Sequence, residues 1–115
     1  MYSGVFSKRK MKYLRLKKQA DFQRLFKKGQ RVSSPTLTVL YRPSDSMRMG
    51  ISVGKKHGKS VQRNRIKRLI RESFRNTQTE MQGTYSFVLI PKVCEKYAYE
   101  AFVRDLKWMI KKAKL

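Results

Sequence analysis

The stretch GKSVQRNRIKRLIRESFR, from Gly58 to Arg75, concentrates the side chains best suited to bind an anion. A guanidinium presents a planar fork that can hold one phosphate through two hydrogen bonds, and a lysine adds a compact point charge. At about 100° per residue, Ile66, Leu69, Ile70 and Phe74 fall on one side of a helix, with Ser73 among them. Asn64, Lys67, Arg68, Arg71 and Arg75 fall opposite, and Arg63 and Arg65 flank the first turn. One face is therefore core and the other a cationic ridge with a single amide, whose donor and acceptor suit a base edge or a 2′-hydroxyl. Like charges four residues apart destabilise a helix, and ordinary solvated faces mix signs to avoid this. Here Glu72 is the sole local counter-charge. A merely solvated face is the plainer alternative; the unmixed sign favours a ridge that waits for a polyanion.

The rest of the chain offers little to a protein-only catalyst. Its carboxylates, Asp21, Asp45, Glu72, Glu80, Glu95, Glu100 and Asp105, are scattered singly rather than clustered as a two-metal site requires. His57 is the single histidine and has no partner for acid–base work; its basic loop predicts a solvent-exposed residue. VGKKHGKS lacks the GxxxxGK[ST] spacing of a phosphate loop, and no zinc-ligand spacing occurs. Cys94, the lone cysteine, follows an apolar run and is expected in or near the core, in a reducing compartment. No catalytic residue and no metal ligand is assigned.

The elements that position these residues can be read from the pattern. The chain has 115 residues, 40% of them hydrophobic, enough for one modest core. Lys and Arg number 29 against 7 Asp and Glu, a net charge of +22, which attracts polyanions, nucleic acid first. No apolar run of about 18 residues is present, and the basic N-terminus is not followed by an apolar segment of the secretory kind. The expected location is the cytoplasm. Residues 1–12 read as a disordered basic arm and 13–115 as a single domain. In LKKQADFQRLFKKGQ, Phe22, Leu25 and Phe26 form one stripe of a short helix, with Gly29 as its cap. Leu37, Val39 and Tyr41 alternate against Thr36, Thr38 and Leu40, predicting a strand. Pro43–Asp45 is a turn, and Met49, Ile51 and Val53 form a second strand expected to pair antiparallel with the first. The basic helix runs from Ser60, as N-cap, to Asn76 or Thr77. YSFVLI, Tyr85–Ile90, is a strand covered on both faces. A last helix carries the stripe Ala98, Phe102, Leu106, Met109, Ile110 and Ala113, with Trp108 half-buried at its border. The fold class is α+β: a single-domain α/β sandwich, a small mixed sheet with three helices in the order α-β-β-α-β-α, with room for a short extra strand at Arg31–Ser33.

RNRIKRLIRESFR following ISVGKKHGKSV resembles the protein subunit of bacterial ribonuclease P, the ribonucleoprotein that removes the 5′ leader from precursor tRNA. The family's hallmark is an Arg-Asn-Arg motif with further cations on the same helix, here Arg63, Asn64, Arg65, Lys67, Arg68 and Arg71. RLKKQADFQRLFKKGQRV resembles the family's opening, and the Gly50–Lys56 segment matches as well. The resemblance runs from about Leu14 to Leu115, strongest up to Arg75. It implies a sandwich similar to one ribosomal-protein domain, with a left-handed crossover. It also implies that the RNA subunit, with Mg²⁺, performs the hydrolysis and that the protein alone binds no cofactor. The implied partners are ribonuclease P RNA and precursor tRNA, with no membrane and no obligatory protein partner. The six motif residues, together with Lys55 and Lys56, would contact the catalytic RNA. Phe22, Phe26 and Tyr41 would line a cleft for the single-stranded leader, although a Phe/Leu stripe can equally be core. A ribosomal-type structural RNA-binding protein is the alternative. A DNA-binding module fits less well, because one amide among many cations reads bases poorly.

Overall fold

The computed structural model describes residues 13–115, so the basic arm expected at 1–12 lies outside the described residues. Among the described residues five strands and three helices follow in order: β1 (Leu14–Arg15), α1 (Gln19–Lys28), β2 (Gln30–Ser33), β3 (Leu37–Pro43), β4 (Arg48–Ile51), α2 (Ser60–Thr77), β5 (Tyr85–Pro91) and α3 (Tyr99–Ala113). The short strand left open at Arg31–Ser33 is present as β2. Single 3₁₀ turns precede and follow α2, at Lys55–His57 and Gln78–Glu80. Among the described residues no helix is long and apolar enough to cross a membrane.

The sheet order is β1-β4-β5-β3-β2. β2–β3 and β3–β5 are antiparallel, whereas β4–β5 and β1–β4 are parallel. This corrects the expected β3–β4 hairpin: β5 lies between those two strands. The reason is in the residues of β5, whose unbroken apolar run must be covered on both faces and so takes the centre. The Pro43–Ser44–Asp45 turn joins β5 instead of folding back on itself, with Ser44 N–H donating to Thr84 O at 3.1 Å.

The alternation of each strand divides the core. Across β3, β5 and β4, the register row Tyr41–Phe87–Met49 faces α2 and α3. There it meets Ile66, Ile70 and Phe74 of α2 and Phe102, Leu106, Met109 and Ile110 of α3. The next row, Leu40–Val88–Gly50, faces α1, where Leu16 and Leu25 complete a smaller cluster with half-buried Phe22 and Ile90. Burying each of the large aliphatic or aromatic side chains contributes about 1.5–3 kcal/mol.

Local anchors differ from the sequence reading in four places. Lys59, in extended backbone, caps α2, and its carbonyl accepts from Arg63 N–H at 2.9 Å; Ser60 is the first helical residue. His57 is buried rather than exposed: its Nδ1 accepts from Gly54 N–H at 3.0 Å and its Nε2 donates to Pro91 O at 2.7 Å. The imidazole thus clamps the basic loop to the end of the central strand. Cys94 is exposed, because the chain leaves the sheet at Pro91 before reaching it. Asp105, read from the sequence only as one of the scattered carboxylates, is buried on α3 and accepts hydrogen bonds from Thr36 N–H at 2.9 Å, the Thr36 hydroxyl and Ser34 Oγ. Burial alone would raise its carboxyl pKa. The Thr36, Arg104 and Ser34 donors outweigh that and hold it below the ordinary value.

Candidate nucleic-acid interface

The first turn of the interface is set by the loop before α2. Gly58 has φ +117, a conformation that a side chain would strain, and it turns the chain from the clamped His57 into the helix. Lys55 and Lys56 stand exposed on that loop, next to the N-terminus of α2. Along α2, Asn64, Arg65 and Arg68 are exposed, and Arg63, Lys67, Arg71 and Arg75 are half-buried. Arg75 pairs with Glu72 at 2.6 Å. Among the described residues none of Arg63, Arg65, Lys67, Arg68 and Arg71 has a carboxylate within 4.0 Å. The ridge is therefore real, and its charge is uncompensated along most of its length. Arg63 donates through Nη2 to Ser60 Oγ at 3.2 Å, while among the described residues its buried Nε has no partner.

On the opposite face of the sheet, α1 stands off far enough to leave a cleft of about 400 Å³. The register row Arg42–Ser86–Arg48 forms its floor, and Arg24 and Lys28, one helical turn apart, form its wall. Leu16, Leu25, Pro43, Ser44 and a single acid, Asp21, complete the lining. The four cations lack a hallmark motif in the sequence. Their signal was the i,i+4 repeat of Arg24 and Lys28 together with the period-2 placement of Arg42.

Ridge and cleft meet at an edge of the sheet. Among the described residues, β1 pairs only with Arg48 and Met49 and no strand lies beyond Gly50 and Ile51 of β4. A second pocket of about 240 Å³ opens there, lined by Phe22 from the α1 side and by Lys67 and Arg71 from α2, with Tyr13, Arg15 and Leu16 between. Leu16 lines both pockets. Tyr13 sits edge-on to Phe74, with ring centroids 5.1 Å apart. Burial raises its phenol pKa, and Arg71, Arg75 and Arg15 pull it back. One cationic surface thus wraps from α2 around the sheet edge into the α1 cleft.

The three aromatics named from the sequence are not brought together. Phe22 is half-buried, lying over Gly50, where a Cβ would fall 2.5 Å from its Cζ; glycine is required for this approach. Phe26 is 49% exposed on α1. Tyr41 is on the other face, 8% exposed, packed on Phe87 and Tyr85, with its hydroxyl donating to Gln30 Oε1 at 3.0 Å. Tyr41 is therefore a core residue and not part of the cleft. Alternation already implied this, since Tyr41 shares a face with Val39. The β3 residues directed toward α1 are Leu40, buried against Leu25, and Arg42.

Known proteins share this pattern. A family model described as Ribonuclease P matches residues 11–114. The "Ribonuclease P protein component" of Clostridium acetobutylicum is 38% identical over 110 residues, covering 91% of this chain and 92% of the relative. That of Clostridium kluyveri is 41% identical over 111 residues, covering 91% and 98%. Among solved structures, the RNase P protein of Staphylococcus aureus superposes with a TM-score of 0.74 at 36% identity, covering 87% of this chain and 94% of that one. The protein from Thermotoga maritima gives 0.76 at 30% identity, covering 85% and 96%.

Proposed function

The chain belongs to the ribonuclease P protein family, and from that premise we propose how its surface serves a ribozyme. The chemistry resides in the RNA subunit, and the protein acts as an RNA clamp with two grips. The α2 ridge, from Arg63 to Arg71, with Lys55 and Lys56, holds phosphates of the catalytic RNA. The α1 cleft holds the single-stranded 5′ leader of precursor tRNA.

The observation that carries this reading is the continuity of the two grips at Lys67, Arg71 and Phe22. An RNA strand gripped on α2 lies next to the entrance of the cationic α1 cleft. In that groove Arg24, Lys28, Arg42 and Arg48 offer phosphate contacts. Phe26, and the free face of Phe22, offer stacking surfaces, each stacked base contributing about 1–3 kcal/mol. None of these contacts selects a base by a hydrogen-bond code, which suits a leader read by shape and charge.

Among the described residues no three His, Cys, Asp or Glu side chains come together as metal ligands would. These residues therefore offer no all-protein cage for Mg²⁺, which supports placing the metal chemistry with the RNA. On this reading the protein lowers the Mg²⁺ demand of the RNA by electrostatics. Cations fixed on α2 and in the cleft replace part of the ion atmosphere that would otherwise hold catalytic RNA and substrate together.

The test is cleavage of precursor tRNA at limiting Mg²⁺ by bacterial ribonuclease P RNA, with and without the protein, and by the protein alone. Activation of the RNA by a protein that is inert alone is expected. Tight RNA binding without activation would overturn the proposal in favour of a general structural RNA-binding role.

A further inference from the structure

The α2 ridge has a second flank, turned away from the leader cleft. A shallow groove of about 430 Å³ runs between α2 and the start of α3, lined by Arg68, Leu69, Glu72, Asn76 and Tyr99. We infer that this groove receives one unpaired nucleobase of the ribonuclease P RNA, stacked on the Tyr99 ring, with an adjoining phosphate held by Arg68. The inference rests on the proposed function and names a contact that neither the Arg-Asn-Arg motif nor the leader cleft contains.

Arg68, Glu72 and Asn76 follow one another at helical spacing and form one wall. Tyr99, the first residue of α3, forms the other. Its ring is held in place, because Asn76 Nδ2 donates to the Tyr99 hydroxyl at 2.6 Å. Leu69 is half-buried, packs on the main core and gives the groove an apolar floor. An apolar slot with a fixed aromatic wall suits the face of a base better than a phosphate or a charged peptide.

Charge selects the same occupant. The groove's one acid, Glu72, is already bonded to Arg75 at 2.6 Å, so its charge is offset. Arg68 belongs both to the ridge and to the groove and has no carboxylate partner among the described residues. Because Arg68 lines the slot, a strand whose phosphate it holds has the slot within reach of the adjoining base. Pinning by Asn76 fixes the ring before binding, so little ordering cost remains at the moment of contact.

The experiment measures affinity for bacterial ribonuclease P RNA by the full-length protein and three variants, Tyr99→Phe, Tyr99→Leu and Tyr99→Ala, with thermal melts confirming that each folds. Tyr99→Phe keeps the stacking face and is expected to bind within about threefold of the parent. Tyr99→Leu keeps apolar bulk without a π face, and it and Tyr99→Ala are expected to weaken binding about tenfold, the size of one stacked base. Chemical probing of the RNA should show a nucleotide protected by the parent protein and by Tyr99→Phe, and exposed again with Tyr99→Leu. Unchanged affinity and protection with a folded Tyr99→Leu, while the parent still activates the RNA, would overturn the inference alone. So would a loss confined to leader-bearing precursor, which would make substrate the occupant. Failure of the parent protein to bind the RNA would overturn the proposed function itself.

Discussion

Replacing Gly50 by alanine tests whether Phe22 seats α1 against the sheet. A Cβ at this position would lie 2.5 Å from Phe22 Cζ, 2.9 Å from its Cε1 and 3.0 Å from Leu16 Cβ. Carbon atoms normally meet at about 3.5–4.0 Å, so the ring must retreat by about 1 Å. Leu16 has little freedom, since it is buried and its N–H donates to Met49 O at 3.0 Å. Phe22 is half-buried and can swing, so the overpacking cost falls at about 1–2 kcal/mol, the lower part of the usual range. For a domain of this size that lowers the melting temperature by about 5–15 °C. The displaced ring would also disturb the junction between the two pockets, so preference for leader-bearing precursor over leaderless tRNA should fall several-fold. Binding to ribonuclease P RNA alone should stay within about twofold. Thermal melts of the parent, Gly50→Ala, Phe22→Ala and the double variant close a cycle. Once the ring is gone, Gly50→Ala should cost clearly less, the remainder coming from Leu16 Cβ at 3.0 Å, leaving a coupling of about 1 kcal/mol. Equal destabilisation with and without the ring would refute the reasoning, as would unaltered leader preference in a destabilised Gly50→Ala protein.

Four other outcomes are expected. Arg68→Ala should leave the melting temperature unchanged, weaken binding to ribonuclease P RNA about tenfold, and lower the slope of log affinity against log salt by about 0.7–0.9, one phosphate's share; salt titration of the complex measures this. Tyr41→Ala should destabilise the fold by about 3–5 kcal/mol, as large-to-small changes of buried aromatics do, whereas Tyr41→Phe should fold with leader preference intact in the same precursor assay. Asp105 has a folded-state pKa below its unfolded one, so its contribution is full above about pH 4 and is lost as pH falls through the lower, folded value. Urea midpoints followed from pH 5 downward should therefore drop, and drop less steeply in Asp105→Asn. Sulfate or polyphosphate should raise the melting temperature of the free protein by occupying the ridge, with a gain approaching about 2.7 kcal/mol at a hundredfold excess over the dissociation constant; an unmoved melt would show that the ridge cations do not act together.

The sequence disclosed those parts of the molecule in which local pattern decides the outcome. The wheel of α2 separates Ile66, Ile70 and Phe74 from the cations, and the structure fully buries the first set and leaves the second exposed or half-buried. The unbroken apolar run of β5 announced a strand covered twice. What stayed hidden depends on contacts between distant segments. A turn at Pro43–Asp45 suggested a hairpin because nothing local says that residues forty positions later will insert between its arms. His57 looked exposed among lysines, yet its partner, Pro91 O, is 34 residues away. Asp105 sits within an apolar stripe and finds its donors at Ser34 and Thr36, which only folding brings near. Tyr41 differs for another reason: its alternation was legible and pointed to the core, whereas its place in the cleft was carried over from the family resemblance and not from its face of the strand. The cations of the α1 cleft come from three elements and become a group only when Ser86 sets Arg42 beside Arg48.

The central strand also fixes when the protein can begin to work. Every cation and aromatic ascribed to the two grips lies at or before Arg75, yet β3 and β4, which align them, have no contact as strands until Tyr85–Pro91 is inserted. On a ribosome adding about 5–20 residues per second, the nascent chain therefore carries its RNA-binding groups in the open, unaligned, for seconds before the sheet can close. Pairings of such long sequence separation also slow folding itself. The last strand to be synthesised is the first that the interface needs, so a chain stopped before Pro91 would hold nearly all of the binding residues without the sheet that aligns them.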